Sequence, residues 1–132
     1  MALRKTKLLN ITSVTGISTI GILTAGVTAV DAGTAGTCYI KNVIMHNTGL
    51  GTARVSLFLN PDTANTNSGY GHTANKFLTV DIAPRETTFF ETNYPIVLTS
   101  TDSLSVAIDT PDVGGTGIGT AINFIVNGDT DI

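Results

Sequence analysis

Charge is what this chain has least of: only 13% of its 132 residues are Asp, Glu, Lys or Arg, about half the share of an ordinary soluble domain. Disorder usually comes with high charge and few β-branched residues, so this scarcity argues for a folded chain. Cysteine occurs once, at Cys38, which rules out an intrachain disulfide and any cysteine-based zinc cluster. Tryptophan is missing and aromatics make up 6%, a thin basis for stacking sugars. No uninterrupted apolar run reaches the ~18 residues of a membrane-spanning helix. The basic start Arg4-Lys5-Thr6-Lys7 looks like a secretory signal, but Asn10, Thr12, Ser13, Thr15, Gly16, Ser18 and Thr19 break its apolar stretch. Such a segment suits strands better than a leader and is expected to be retained. No segment carries a sustained 3.6-residue apolar period.

What remains is period two. The stretch Cys38 to Asn60 holds two apolar runs, Tyr39 to Met45 and Val55 to Leu59, around Asn47-Thr48-Gly49-Leu50-Gly51. Asn and Gly tolerate positive φ, so the stretch reads as a β-hairpin needing a second layer over its apolar face. Lys76 to Ile82 alternates with Leu78, Val80 and Ile82 on one face, and Ser103 to Thr110 with Leu104, Val106 and Ile108. Ile122, Phe124 and Val126 alternate with Ala121, Asn123, Ile125 and Asn127, leaving Asp129 and Asp131 for a terminal tail. Thr87 to Thr92 and Ile96 to Leu98 are short strands parted by Asn93-Tyr94-Pro95, where the proline argues for an edge or a crossing between sheets.

Residues 1–30 read as one or two strands bent at Gly16, or as an extended arm that pairs with a sheet edge of its own subunit or a neighbour's. Together these predict one all-β domain, 1–132, with the sandwich core in 31–132. It is an antiparallel, jelly-roll-like β-sandwich of about eight strands with an extended N-terminal arm or strand. Residues 61–73 form a long Asn-, Gly- and Pro-rich loop, and a loop of that length is usually functional.

Catalytic and metal-binding patterns are absent. The glycines from Gly114 to Gly119 lack the following Gly-Lys-Ser/Thr and the helix of a phosphate loop, and they read as a strand connection. His46 and His72 are the only histidines. Asn60, Asp62, Asn65 and Asn67 offer oxygens without the spacing of a calcium loop. No nucleophile elbow is present. No cofactor, no metal and no enzymatic activity are expected. At a net charge of −3, neither nucleic acid nor membrane is an expected partner. The charge is unevenly spread: residues 1–60 hold five basic groups and one acid, residues 61–132 two and nine.

The segments CYIKNVIMHNTGLGTARVSLFLN, KFLTVDIAPRETTFFET and YPIVLTSTDSLSVAIDT, with a closing strand, resemble in order the small β-sandwich virion proteins of tailed bacteriophages, notably marine and cyanobacterial ones. The likeness spans about residues 24–127 and rests on a strand ending in Asn47 before a polar turn and on Leu98 followed by Asp-Ser-Leu-Ser-Val. It implies a non-enzymatic virion component assembled in the host cytoplasm. A capsid decoration (cement) protein bridging neighbouring subunits is preferred over a tail, neck or fibre component. Its partners would be itself, as a trimer or dimer, and other virion proteins such as the major capsid protein. Candidate subunit contacts are Arg4, Lys5 and Lys7 in the N-terminal block and Asn65, Asn67, Tyr70 and His72 in the long loop. On this reading residues 2–14 are separable from a sandwich that folds without them. The rival is a glycan-binding module for host-surface attachment using Tyr70, His72 and Asn67.

Overall fold

The computed structural model describes residues 3–24, 37–60, 73–99, 102–111 and 120–131, giving backbone alone at 3–7, 10, 24, 130 and 131. Eight strands occupy these residues: β1 (Leu3–Thr15), β2 (Ser18–Thr24), β3 (Thr37–Asn47), β4 (Ala53–Asn60), β5 (Lys76–Ile82), β6 (Thr87–Thr99), β7 (Ser103–Asp109) and β8 (Ala121–Asp131). A single 3-10 turn, Thr73–Asn75, precedes β5. The strands form two antiparallel four-stranded sheets, ordered β1-β8-β3-β6 and β2-β7-β4-β5. Every connection changes sheet except that from β4 to β5, which gives the jelly-roll form of the sandwich.

The period-two pattern explains the layers. Val43 and Met45 from β3, Leu98 from β6 and Ile122, Phe124 and Val126 from β8 meet Val55 and Leu57 from β4, Ile82 from β5 and Leu104, Val106 and Ile108 from β7. All are buried, and each contributes about 1.5–3 kcal/mol relative to exposure. Phe77 of β5 and Phe90 of β6 pack against this core, their tilted rings 5.6 Å apart, and close one open side of the sandwich. Cys38 is fully buried among the same side chains.

The stretch 38–60 is not a hairpin. β3 pairs with β6 and β8, while β4 pairs with β5 and β7 in the opposite sheet. Residues 48–52 therefore arch between layers, and the buried Asn47 side chain shapes the arch. Its Nδ2 donates to the carbonyls of Gly51 (3.0 Å) and Ile82 (2.8 Å), and its Oδ1 accepts the Gly49 N–H (2.8 Å). Its backbone is held as well: Asn47 N donates to Glu86 O, and Arg85 N donates to Asn47 O. The 48–52 arch is thus tied to the 83–86 turn, where Arg85 takes φ 67°. Thr48 N and Gly16 N donate to Ala121 O and Thr120 O, joining two further connections at this end. Gly16 has φ 73°, a region that glycine enters without penalty.

The N-terminal block is part of the sandwich. β1 pairs along its length with β8 of the same chain, and Leu8, Leu9 and Val14 lie in the core. The expectation that residues 2–14 are separable is therefore corrected, since removing them opens the core. Asp129 and Asp131 belong to β8, opposite Lys5 and Leu3, and not to a tail. The two short strands before and after Pro95 are one element, β6, whose register jumps so that Asn42 faces Glu91 and Ile40 faces Ile96. The intervening residues carry Pro95 on an edge strand, as its missing N–H requires.

One constraint has no sequence signature. At Gly128 an added Cβ would lie 1.9 Å from Tyr39 O and 3.0 Å from Leu8 Cδ1, because the bulge in β3 brings that backbone against β8. Gly128→Ala is expected to lose about 3 kcal/mol or more in urea unfolding. Gly51→Ala, where a Cβ meets nothing within 4 Å, should stay within about 0.5 kcal/mol of the parent. Asn47→Ala should cost about 2–4 kcal/mol in the same measurement, because it leaves the buried Ile82 carbonyl without this donor.

Candidate contact surface

The start of β1, with the backbone positions Arg4, Lys5 and Lys7, lies at the end of the sandwich opposite the Asn47 arch. Arg4 pairs with Thr130, Thr130 with Cys38 and Cys38 with Leu98. Leu98 in turn lines a cavity of about 250 Å³ with Leu59, Asn60, Val97 and Asp102. The start of β1 and the end of β4 thus lie at one end of the molecule. Arg4, Lys5 and Lys7 hold backbone register with Thr130, Asp129 and Asn127. Asn65, Asn67, Tyr70 and His72 lie outside the described residues. The cavity's polar groups are engaged within the chain: Asn60 Oδ1 accepts from Ser105 Oγ, and Asp102 Oδ2 accepts from Thr99 N and Thr99 Oγ1.

The outer face of the β1-β8-β3-β6 sheet carries what the sequence reading missed. Opposite residues of an antiparallel pair share a face, so the register defines rows that cross all four strands. One row runs from Ile11, in the β1 bulge between Leu9 and Thr12, through Ile125 and Ile44 to Phe89. Ile11 and Phe89 are 62% and 63% exposed. The available signal was phase: Ile44 and Ile125 are apolar residues on the polar side of otherwise regular strands. On one side lies the row Ser13, Asn123, His46 and Thr87, where His46 Nδ1 sits 2.7 Å from Thr87 Oγ1. On the other, Asn127 Nδ2 donates to Asn42 Oδ1 at 2.9 Å. Beyond these, Lys41 Nζ lies 3.0 Å from Asp129 Oδ2, and the carboxylate is largely buried with its Oδ1 meeting no donor. Tyr94 projects from the β6 edge, 85% exposed.

The outer face of the other sheet differs. Phe58, Ser103 and Ser105 point outward from β4 and β7 yet are buried, and Lys76 Nζ lies 5.7 Å from the centre of the Phe58 ring. Nearer the arch, Arg54 forms a two-bond fork on Asp81, Nε to Oδ1 at 2.8 Å and Nη2 to Oδ2 at 3.2 Å. Among the described residues, no group of three His, Cys, Asp or Glu side chains is placed to hold a metal ion, and no helix is long and apolar enough to cross a membrane.

The Arg54 hydrogen bonds hold the Asp81 carboxyl below the usual aspartate range, slight desolvation opposes them, and the Arg54 charge adds to the lowering. A lowered folded-state value means that the pair's contribution is present above the unfolded aspartate's titration and lost as pH falls through the folded one. Both groups are exposed, so the effect on global stability is small. In an NMR titration Asp81 should ionise at lower pH than an ordinary aspartate, and Arg54→Ala should return it to the ordinary value.

No family model matches the sequence, and no curated protein does. Among solved structures, a chain described as "Structure of infectious bursal disease virus Gx strain" aligns with 98% of this chain at 12% identity and a TM-score of 0.25. The alignment covers 36% of that chain, and at that TM-score the likeness bears on neither fold nor function.

Proposed function

We propose that this protein is a non-enzymatic structural component of a virion, and that it decorates the capsid as a cement protein bridging neighbouring subunits. The observation that carries this reading is the strand order: two four-stranded sheets in jelly-roll connection, an architecture that capsid domains share with lectins and cupins. Architecture alone does not assign a role. Two further features support the reading: the resemblance of residues 24–127 to small β-sandwich virion proteins of tailed phages, and a partly apolar sheet face with an unbroken apolar row, suited to protein contact.

A bridging protein needs contacts on more than one side. The outer face of the β1-β8-β3-β6 sheet offers one surface, and the end bearing Arg4, Lys5 and Lys7 offers another. Because β1 is structural, the arm's role is tested by substitution and not by deletion. Purified protein mixed with heads assembled without it should co-sediment with them and raise the temperature at which they release DNA. The triple change of Arg4, Lys5 and Lys7 to Ala should weaken co-sedimentation about tenfold while leaving the thermal unfolding of the free protein close to the parent's. Protein that stays in the supernatant, or density found at the neck or tail of a virion reconstruction, overturns the decoration role. Selective binding on a glycan array would replace it with the lectin reading.

A further inference from the structure

We propose that Asn127 is a modification site held latent by the fold: it deamidates only in chains whose β8 has opened, and the change stops those chains from refolding. Asn127–Gly128 is the one Asn-Gly pair in the sequence. The chemistry belongs to that pair. The backbone nitrogen of Gly128 attacks Cγ of the Asn127 side chain, forming a C–N bond and a cyclic succinimide. Nδ2 leaves as ammonia, taking the proton that the glycine nitrogen gives up. Water then opens the ring at either carbonyl and leaves aspartate or isoaspartate, so no oxidant or other reagent is needed. Glycine favours the attack because no Cβ shields its nitrogen and its backbone turns freely.

In the sandwich each requirement of that attack is denied. β8 lies between β1 and β3, and the Gly128 backbone stands opposite Thr6 on one side and Ile40 on the other. Ring closure takes the chain at Asn127 out of the extended conformation of a strand, which breaks the ladder on both flanks. The amide is also tethered, since Asn127 Nδ2 donates to Asn42 Oδ1 at 2.9 Å. Gly128 itself has little room to turn: even a Cβ there would overlap Tyr39 O and press on Leu8 Cδ1. When β8 detaches, all three restraints go together. The product matters as much as the site. Isoaspartate carries the chain through the former side chain and adds one carbon to the backbone between residues 127 and 128. The added length displaces Gly128 from the Tyr39 carbonyl, against which only glycine fits, and upsets the register that sets Asp129 Oδ2 3.0 Å from Lys41 Nζ. A transient opening thereby leaves a permanent record. The proposal concerns the free chain and does not rest on the virion role.

The test is peptide mapping of the full chain by mass spectrometry, which separates the asparagine, aspartate and isoaspartate forms at position 127. At one mildly alkaline pH, chain held unfolded in guanidinium chloride should convert about a hundredfold or more faster than folded chain, because the folded population opens rarely. At denaturant concentrations below the unfolding midpoint, the rate should climb with the opened fraction. After the denaturant is removed, the fraction that refolds should fall in step with isoaspartate content, and the isoaspartate chains should collect among those that stay unfolded. Asn127→Gln, whose longer side chain closes a larger ring more slowly, should keep nearly all of its starting refolding yield over the same incubation. Folded and unfolded chains that convert at equal rates overturn the protection. Isoaspartate chains that refold like the parent, or an Asn127→Gln chain that loses its yield as fast as the parent, overturn the consequence.

Discussion

One side-chain amide sets the layering of this molecule. Asn47 fixes the direction in which the chain leaves β3: its amide hydrogens are used on one carbonyl of the arch and one at the end of β5, and its oxygen holds a third backbone group. Placed where water is excluded, such a group is costly unless fully paired, so the surrounding backbone must adopt the geometry that pairs it. That geometry sends β4 into the opposite sheet and draws the 83–86 turn alongside. With β3 and β4 in different layers, β5 can pair with β4 and β6 with β3, and the two halves of the sandwich are built outward from the same corner.

Burial was legible in the residues, and partnership was not. Alternation in β5, β7 and β8 marks the inward face correctly, Pro95 marks an edge, and Cys38 packs where a small apolar residue belongs. Alternation is a local property, however, and it is identical for a strand that turns back beside its neighbour and one that crosses to the other layer. Residues 47–51 have turn chemistry suited to either, which is why the stretch reads as a hairpin and folds as an arch. β8 was cut short for a related reason: Gly128, Asp129 and Asp131 look like a polar tail until β1 is known to lie beside them. The need for glycine at 128 comes from the carbonyl of Tyr39, far away in sequence. No reading of neighbours along the chain reveals it.

The candidate surface was legible only in part. The basic positions Arg4, Lys5 and Lys7 open β1 at the end where β4 finishes, a neighbourhood that only the strand order reveals. The Ile11, Ile125, Ile44, Phe89 row was invisible, since its members come from four strands and acquire meaning only through register. Ile11 and Phe89 alone are ordinary exposed apolar residues of the kind that surfaces tolerate, and Ile44 and Ile125 between them are half-buried. Aligned, they form a continuous apolar band bordered by amides and hydroxyls, which can contact another protein without stripping water from many charges.

The pairing of β1 with β8 has a mechanical side. Leu3 sits opposite Asp131, so the first and last strands enter and leave the sheet side by side. A load applied through those two points would part the ladder one rung at a time, as a zip opens, and would never shear all its rungs together. Loads or labels joined to the start of β1 and to the end of β8 would therefore act on adjacent strands, remote from the arch that Asn47 holds shut.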